Sequence, residues 1–253
     1  MRLTDPVWQA LLVILISFCA SFIQRVSGFG FGIFAITFLP YIMGTYGEAN
    51  ILSSMLALSM SISVAVRLFR SVDLKNLIFP LVGCTVSTYV SVNLIKGSAD
   101  ALLKLMLGAV LVLLSVYFLF FADRMHIKAT RSAGLIAGLL SGILGGLFSM
   151  GGPPVVVYYM ESEKDTRTYM ATIQAYFALS NIYSVGVKLS AGFAGANTFA
   201  FFAVGLAGVA AGVFVGSRIF DKMDGAKIRK AVCVIMATSG LFNCADALSS
   251  IVG

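Results

Sequence analysis

Apolar residues recur along the chain in ten stretches, near 7–24, 30–46, 49–66, 77–95, 101–121, 132–150, 153–160, 168–190, 197–217 and 231–252, parted by short polar turns. A helix needs about 20 mostly apolar residues to cross a bilayer, and most of these stretches approach that length. The pattern predicts an all-α, polytopic membrane protein. Two stretches, 30–46 and 153–160, fall short of a span, and each follows a break in the pattern: SGFGFG at 27–32 and SMGGPP at 149–154. They hold the same ordinal place in each half of the chain.

Comparing the halves at an offset of 121 residues turns that coincidence into a repeat. ALSMSISVAVR (57–67) lies over ALSNIYSVGVK (178–188) with six of eleven residues identical, and the same offset puts Gly30 on Gly151. Farther on, FPLVG (79–83) meets FFAVG (201–205) with one extra residue. The chain therefore reads as two units of about five segments. An odd number of crossings per unit sets the two in opposite orientation, the inverted-repeat plan of many secondary transporters.

Composition supports the same setting. Of 253 residues, 59% are hydrophobic and 11% charged, with a mean hydropathy of +0.95, outside the usage of soluble domains. The segments fill the length, so the expectation is a single transmembrane domain over 1–253, with repeat one at 1–125 and repeat two at 126–253. Much of the excess positive charge, +7 in all, lies at 66–75, 122–131 and 218–230. Basic loops mark the cytoplasmic side. Counting all ten segments as crossings puts those loops and 161–167 on one face, 47–48 and 188–197 on the other, and both termini outside; re-entrant short segments would change that parity. Cations spread over short turns do not make a nucleic-acid surface. Residues 7–24 lack a cleavage site and read as a retained helix.

Several function classes drop out. The four cysteines, Cys19, Cys84, Cys233 and Cys244, lie in apolar segments without metal-site spacing, so no metal or cofactor is expected. No phosphate-binding loop and no nucleophile with its base is present, which argues against a nucleotide-driven pump and against an enzyme. Intramembrane acids are nearly absent, Asp246 being the deep candidate, so no carboxylate for proton or sodium coupling stands out.

What remains is polar chemistry at the breaks. Proline has no amide proton, so a helix continued through Gly152-Pro153-Pro154 would leave backbone groups that lipid cannot satisfy. Where a broken helix restarts, its free N–H groups and positive dipole end favour an anion. A glycine-mediated crossing or a proline kink is the other reading. Gln24 and Arg25 precede the first break. A charge at depth needs a partner, so Arg25 either meets a distant acid, backbone carbonyls or an anionic substrate, or it snorkels to the interface. Ser59, Ser63 and Arg67 share one helix face, as do Ser180, Ser184 and Lys188, and either face could be an oxyanion path or a small-residue packing stripe. Gln174 and Asn181 add hydrogen-bonding groups in the second copy.

The SGFGFG…LP run (27–40), the GILGGLFSMGGPP run (142–154) and the five-plus-five duplication resemble the sulfite exporter TauE/SafE family, also called the toluene sulfonate uptake permeases. That resemblance covers nearly the whole chain. It implies movement of sulfite, sulfoacetate or another organosulfonate across a bacterial inner membrane, with export the expected direction. The family's hallmarks fall on Gly28, Gly30, Gly32, Gly151, Gly152 and Pro153. Pro153 and Pro154 stand where many members repeat a third glycine, and Gln24 with Arg25 before the first hallmark is a second departure.

The expectation is alternating access around one anion site. Backbone N–H groups at Gly30 to Gly32 and Gly151 to Gly152, with Ser27, Ser149 and Arg25, would replace the anion's water. Ser59, Ser180, Gln174 and Asn181 would complete the walls, and Arg67 and Lys188 would attract anions at the two mouths. The expected partners are a small anionic substrate, the bilayer and a second copy in a homodimer. Transport of another organic anion such as a carboxylate, or a non-transporting scaffold subunit, are the alternatives.

Overall fold

A computed structural model describes residues 6–120, 128–163, 165–219 and 225–252. Those residues form ten α-helices: α1 (Pro6–Ser27), α2 (Phe31–Phe38, continued by a 3-10 turn at Leu39–Tyr41), α3 (Tyr46–Leu68), α4 (Leu74–Ile95), α5 (Asp100–Phe120), α6 (Arg131–Phe148), α7 (Gly152–Ser162), α8 (Thr166–Ser190), α9 (Thr198–Ile219) and α10 (Gly225–Val252). The expected join at 125/126 lies outside the described residues. Side chains start several helices: Thr45 accepts from Glu48 N, Asp73 from Lys75 N, Thr130 from Ala133 N and Asp165 from Thr168 N, caps worth about 1 kcal/mol each. Six helices, α1, α3, α4, α5, α6 and α9, are long and apolar enough to cross a membrane.

Contacts along the helices give their directions. Gln9 bonds the Ile42 carbonyl just before α3, and Gln24 reaches Met60 within it. α1 and α3 thus run the same way, and the short helical stretch Phe31–Tyr41 returns the chain between them. In the second half Gly151 lies against Ser141 and Tyr158 against Gly134, so α7 returns the chain along α6. Both short segments therefore carry the chain back toward the end from which the preceding helix came.

The packing repeats when the halves are exchanged. α9 lies parallel to α1, with Gly208, Gly212 and Gly216 against Ile14, Ser21 and Arg25, while α6 lies parallel to α4, with Gly138, Gly142 and Gly146 against Pro80, Cys84 and Thr88. Small residues one turn apart let backbones touch where lipid supplies no hydrophobic drive for association. Equivalent helices meet antiparallel. Ser54 of α3 faces Lys188 of α8, and Lys104 of α5 pairs with Asp246 of α10 at 3.3 Å. Asp246, the deep acid of the sequence, is thereby engaged at a helix pair remote from the breaks. Pro80 removes the helical donor for the Asn76 carbonyl, and the Tyr159 hydroxyl donates to that oxygen instead, at 3.4 Å.

These directions gather Arg67, Arg70, Lys75, Arg131, Arg167 and Arg218 at one end of the bundle. The turns before α3, α5 and α9, with Glu48 and Asp100, lie at the opposite end. α8, the most polar of the long helices, runs through the middle between α3 and α4.

Candidate anion site between the two breaks

Both breaks are backbone devices. Gly28 and Gly30 adopt φ of 84° and 109°, the left-handed region that suits glycine, and turn the chain from α1 into α2. Ser149 makes the corresponding turn out of α6 with φ 55°, alone among the described non-glycine residues in positive φ. A serine there carries a strain of about 1 kcal/mol or more. Its hydroxyl offsets this, lying 2.6 Å from Asn50 Oδ1, 2.8 Å from Ser54 Oγ and 2.9 Å from Lys188 Nζ.

The breaks, 121 residues apart, touch. Gly32 abuts the Ser149 carbonyl so closely that a methyl group could not be added, and Gly152 packs on Phe29 and Phe177. Around this junction lies a polar cavity of about 50 Å³. A water needs on the order of 10–15 Å³ by this measure, so the space takes a small polar group. Its walls come from the two breaks, α3 (Ala57, Ser61), α4 (Cys84, Thr88), α6 (Ser141, Gly145) and α8 (Phe177, Ser180, Asn181, Ser184).

Two half-helices begin at this cavity, each bringing a positive dipole end of about half a charge. In α2, Gln24 Oε1 takes the Phe31 amide at 3.1 Å, leaving the first-turn amides of Gly32 and Ile33 at the wall. In α7, Pro153 and Pro154 have no N–H, so Gly152 is the first-turn donor. The C-terminal carbonyls of α6, which would repel an anion, are covered. Lys188 Nζ donates to Gly145 O at 3.0 Å, Asn50 Nδ2 to Leu147 O at 2.6 Å, and the Tyr46 hydroxyl to Leu147 O at 3.1 Å.

Two hydroxyls complete the picture. Ser61 Oγ and Ser184 Oγ are buried without a hydrogen-bond partner among the described residues, and both residues line the cavity. Buried polar groups are normally paired, so these are donors in want of an acceptor.

The fold brings Gln24, Gly30, Gly32, Ser149, Gly151, Gly152, Ser180 and Asn181 to the cavity wall. Gln174 and Gly28 stand behind it, the Gln174 amide meeting both Gly28 O and Gln24 Nε2 at 3.5 Å. Ser27 closes α1, and its side chain lies outside the described residues.

The other expectations need correction. Arg25 turns to α9, its Nε donating to Ser217 Oγ at 2.8 Å, because the last turn of α1 presents that face to Gly216. Ser59 bonds Met55 O of its own helix and Arg67 is exposed: α3 shows Ala57 and Ser61 to the cavity, and a residue two places on from Ala57 lies across the helix. Pro153 borders a separate apolar groove of about 480 Å³ with Pro154, Leu144 and Tyr158. Lys188 is at neither mouth. It is wholly buried, one layer behind Ser149 and Gly145. Asn50, Ser54 and Ser61, which matter here, gave no sequence signal beyond being polar within an apolar helix.

The sequence model of the sulfite exporter TauE/SafE family matches residues 13–243 of the chain. No curated protein and no solved structure matches it at a significant level.

Proposed function

Because the chain belongs to the sulfite exporter TauE/SafE family, and so is an integral membrane transporter of sulfur-containing anions, we propose that its anion binds in the cavity between the two breaks. The observation that carries the reading is the convergence of two half-helix N-termini on one polar cavity whose wall includes the unpaired hydroxyl-bearing residues Ser61 and Ser184. An oxyanion entering it exchanges water for the amides of Gly32, Ile33 and Gly152 and for those two hydroxyls. Hydrogen bonds to a charged acceptor contribute about 1.5–3 kcal/mol each, which offsets the anion's desolvation. Lys188 supplies a full positive charge behind Ser149.

The anion in this reading is sulfite. Sulfite is the smallest of these anions and so the best suited to a cavity of about 50 Å³, whereas sulfoacetate or an arylsulfonate adds carbon atoms and needs more space. In a bacterium the transporter sits in the inner membrane with its basic end in the cytoplasm, following the distribution of Arg and Lys. Export in this reading is movement down an outward anion gradient, loaded from the basic end. Basic residues draw anions to the inner face and so speed loading there, while a vestibule of about 280 Å³ at the opposite end carries Glu48 and Asp100 beside Lys96 and attracts anions less. Tyr46, in the wall of that vestibule, and Asn50 both clamp Leu147 O at the end of α6, and in this reading the clamp divides the vestibule from the cavity. Alternating access then requires this clamp to release as the basic end closes, one inverted repeat rocking on the other.

Uptake into proteoliposomes tests the reading. Radiolabelled sulfite should be carried and should be competed by other small sulfur oxyanions, with sulfoacetate and toluenesulfonate much weaker. Vesicles that carry lactate or acetate and leave sulfite outside would refute it.

A further inference from the structure

The ammonium of Lys188 has three neutral acceptors, Ser54 Oγ at 2.7 Å, Ser149 Oγ at 2.9 Å and Gly145 O at 3.0 Å. Among the described residues the ion pair is Lys104 with Asp246, and Lys188 has none. The elements around it offer no other charge. From α4 it faces the Cys84 thiol, in hydrogen-bond contact with Thr88. From α8 itself comes the Tyr176 phenol, donating to Ser141, and from α3 the Tyr46 phenol, donating to Leu147 O. α6 and the second break present Gly145 and Ser149, which do not titrate. The acids toward that end, Glu48 and Asp100, are held by the amides of Gly44 and Tyr46.

A buried ammonium among neutral acceptors is costly to keep charged, and the α6 C-terminus returns only about half a charge. An anion in the cavity, one residue layer away, supplies the rest. Anion and proton therefore favour each other's binding, and such coupling is reciprocal.

Resting on the anion site proposed above, we infer that Lys188 takes up a proton with the anion and releases it when the anion leaves, so that one proton crosses with each monoanion. On the loading side the Nζ lone pair forms an N–H bond with a proton from water. On the unloading side the anion departs, that bond breaks and the proton returns to water. Nothing is oxidised or reduced.

The translocation step is then electrically neutral, and direction follows the product of anion and proton concentrations. Against an inward gradient of one pH unit, export proceeds only when the anion is at least about tenfold more concentrated inside. Such a carrier empties an excess without draining the last of the anion.

The full chain in proteoliposomes, with sulfite as probe and pyranine in the lumen, decides the matter in mildly acid buffer, where sulfite is chiefly the monohydrogen anion. Protein-free vesicles correct for leak. Valinomycin potentials of either sign should leave wild-type uptake within about twofold, where a net charge would respond on the order of tenfold per 100 mV, and the lumen should acidify in step. Lys188→Arg, which cannot lose its charge, should still bind sulfite but become potential-driven and insensitive to pH. Wild-type uptake that follows the potential without moving protons overturns the coupling and leaves the anion site intact. A wild type that neither binds nor carries sulfite defeats the site itself. Should the arginine variant fail to insert, the wild-type measurements alone decide.

Discussion

Gly32 of the first repeat packs its α-carbon against the Ser149 carbonyl of the second, a contact across the pseudosymmetric junction that leaves no space for a side chain. It sets how far apart the α2 N-terminus and the α6 C-terminus can stand. Gly32→Ala should therefore push the breaks apart and reduce sulfite flux at least about tenfold, a loss of 1.4 kcal/mol or more. Gly186→Ala, on α8 with nothing near its α-carbon, should leave flux unchanged and favour the helix slightly. Equal losses in both variants, at equal membrane abundance, would contradict this account.

Ser61 and Ser184 separate affinity from stability. Alanine at either removes a buried hydroxyl that has no partner among the described residues, so thermal stability in detergent should hold or rise by up to about 1 kcal/mol. Sulfite affinity should fall about tenfold or more for each, since a charge-assisted bond is lost. Calorimetric titration alongside a melting curve reads both quantities in one preparation. A drop in melting temperature with unchanged affinity would mean that the hydroxyls serve packing alone.

Asn50→Asp tests the charge of the site by supplying an internal counter-ion. The new carboxylate would replace Asn50 Oδ1 and Nδ2 beside Ser149 and the α6 carbonyls, within reach of the Lys188 field. Anion binding should weaken by at least about tenfold while the protein still folds, because the cation would be satisfied without substrate. Unaltered sulfite binding in that variant would remove Lys188 from the electrostatics of the site.

Arg25 and Arg67 mark the boundary of the site. Arg25→Ala should lower stability through its lost bond to Ser217, by about 1 kcal/mol, with the KM for sulfite unchanged. Arg67→Ala should change neither stability nor KM. A rise in KM of several fold for either would restore that cation to the substrate path.

Glu163, in the turn between α7 and α8 at the basic end, has its carboxyl pKa raised, first by burial and then by the nearby Asp73, against the lowering effect of the Asn76 amide at 2.9 Å. A raised acid pKa favours the protonated folded form, so its contribution to stability is present at acid pH and is lost as pH rises through the folded-state value. Glu163→Gln should raise the melting temperature near neutral pH. That gain should vanish once the pH falls below the ordinary carboxylate range, as melting curves across pH will show.

Much of this was readable along the chain, because membrane helices are specified locally. A run of about 20 apolar residues satisfies its own backbone in lipid, and glycine or proline interrupts it wherever it stands. The breaks at 27–32 and 149–154 followed from that rule, and the duplicated 57–67 and 178–188 segments fixed their relation. Less could be read of the walls. Serines occupy two faces of α3, at Ser59 and Ser63 and at Ser53 and Ser61, and helical periodicity does not say which face meets α8.

The sequence by itself determined ten helices, two breaks and an inverted repeat, since segment length, residue type and internal similarity are properties of the chain alone. Tertiary structure decided that the breaks touch and that Ser61 faces the cavity while Ser59 does not. It also separated Arg67 from Lys188, two residues the repeat makes equivalent. One is exposed at a helix end, while the other folds inward onto Ser54, Gly145 and Ser149. The reason is physical: a side chain's depth depends on which neighbouring groups accept its hydrogen bonds, and the α6 carbonyl that holds Lys188 belongs to another helix, 43 residues away.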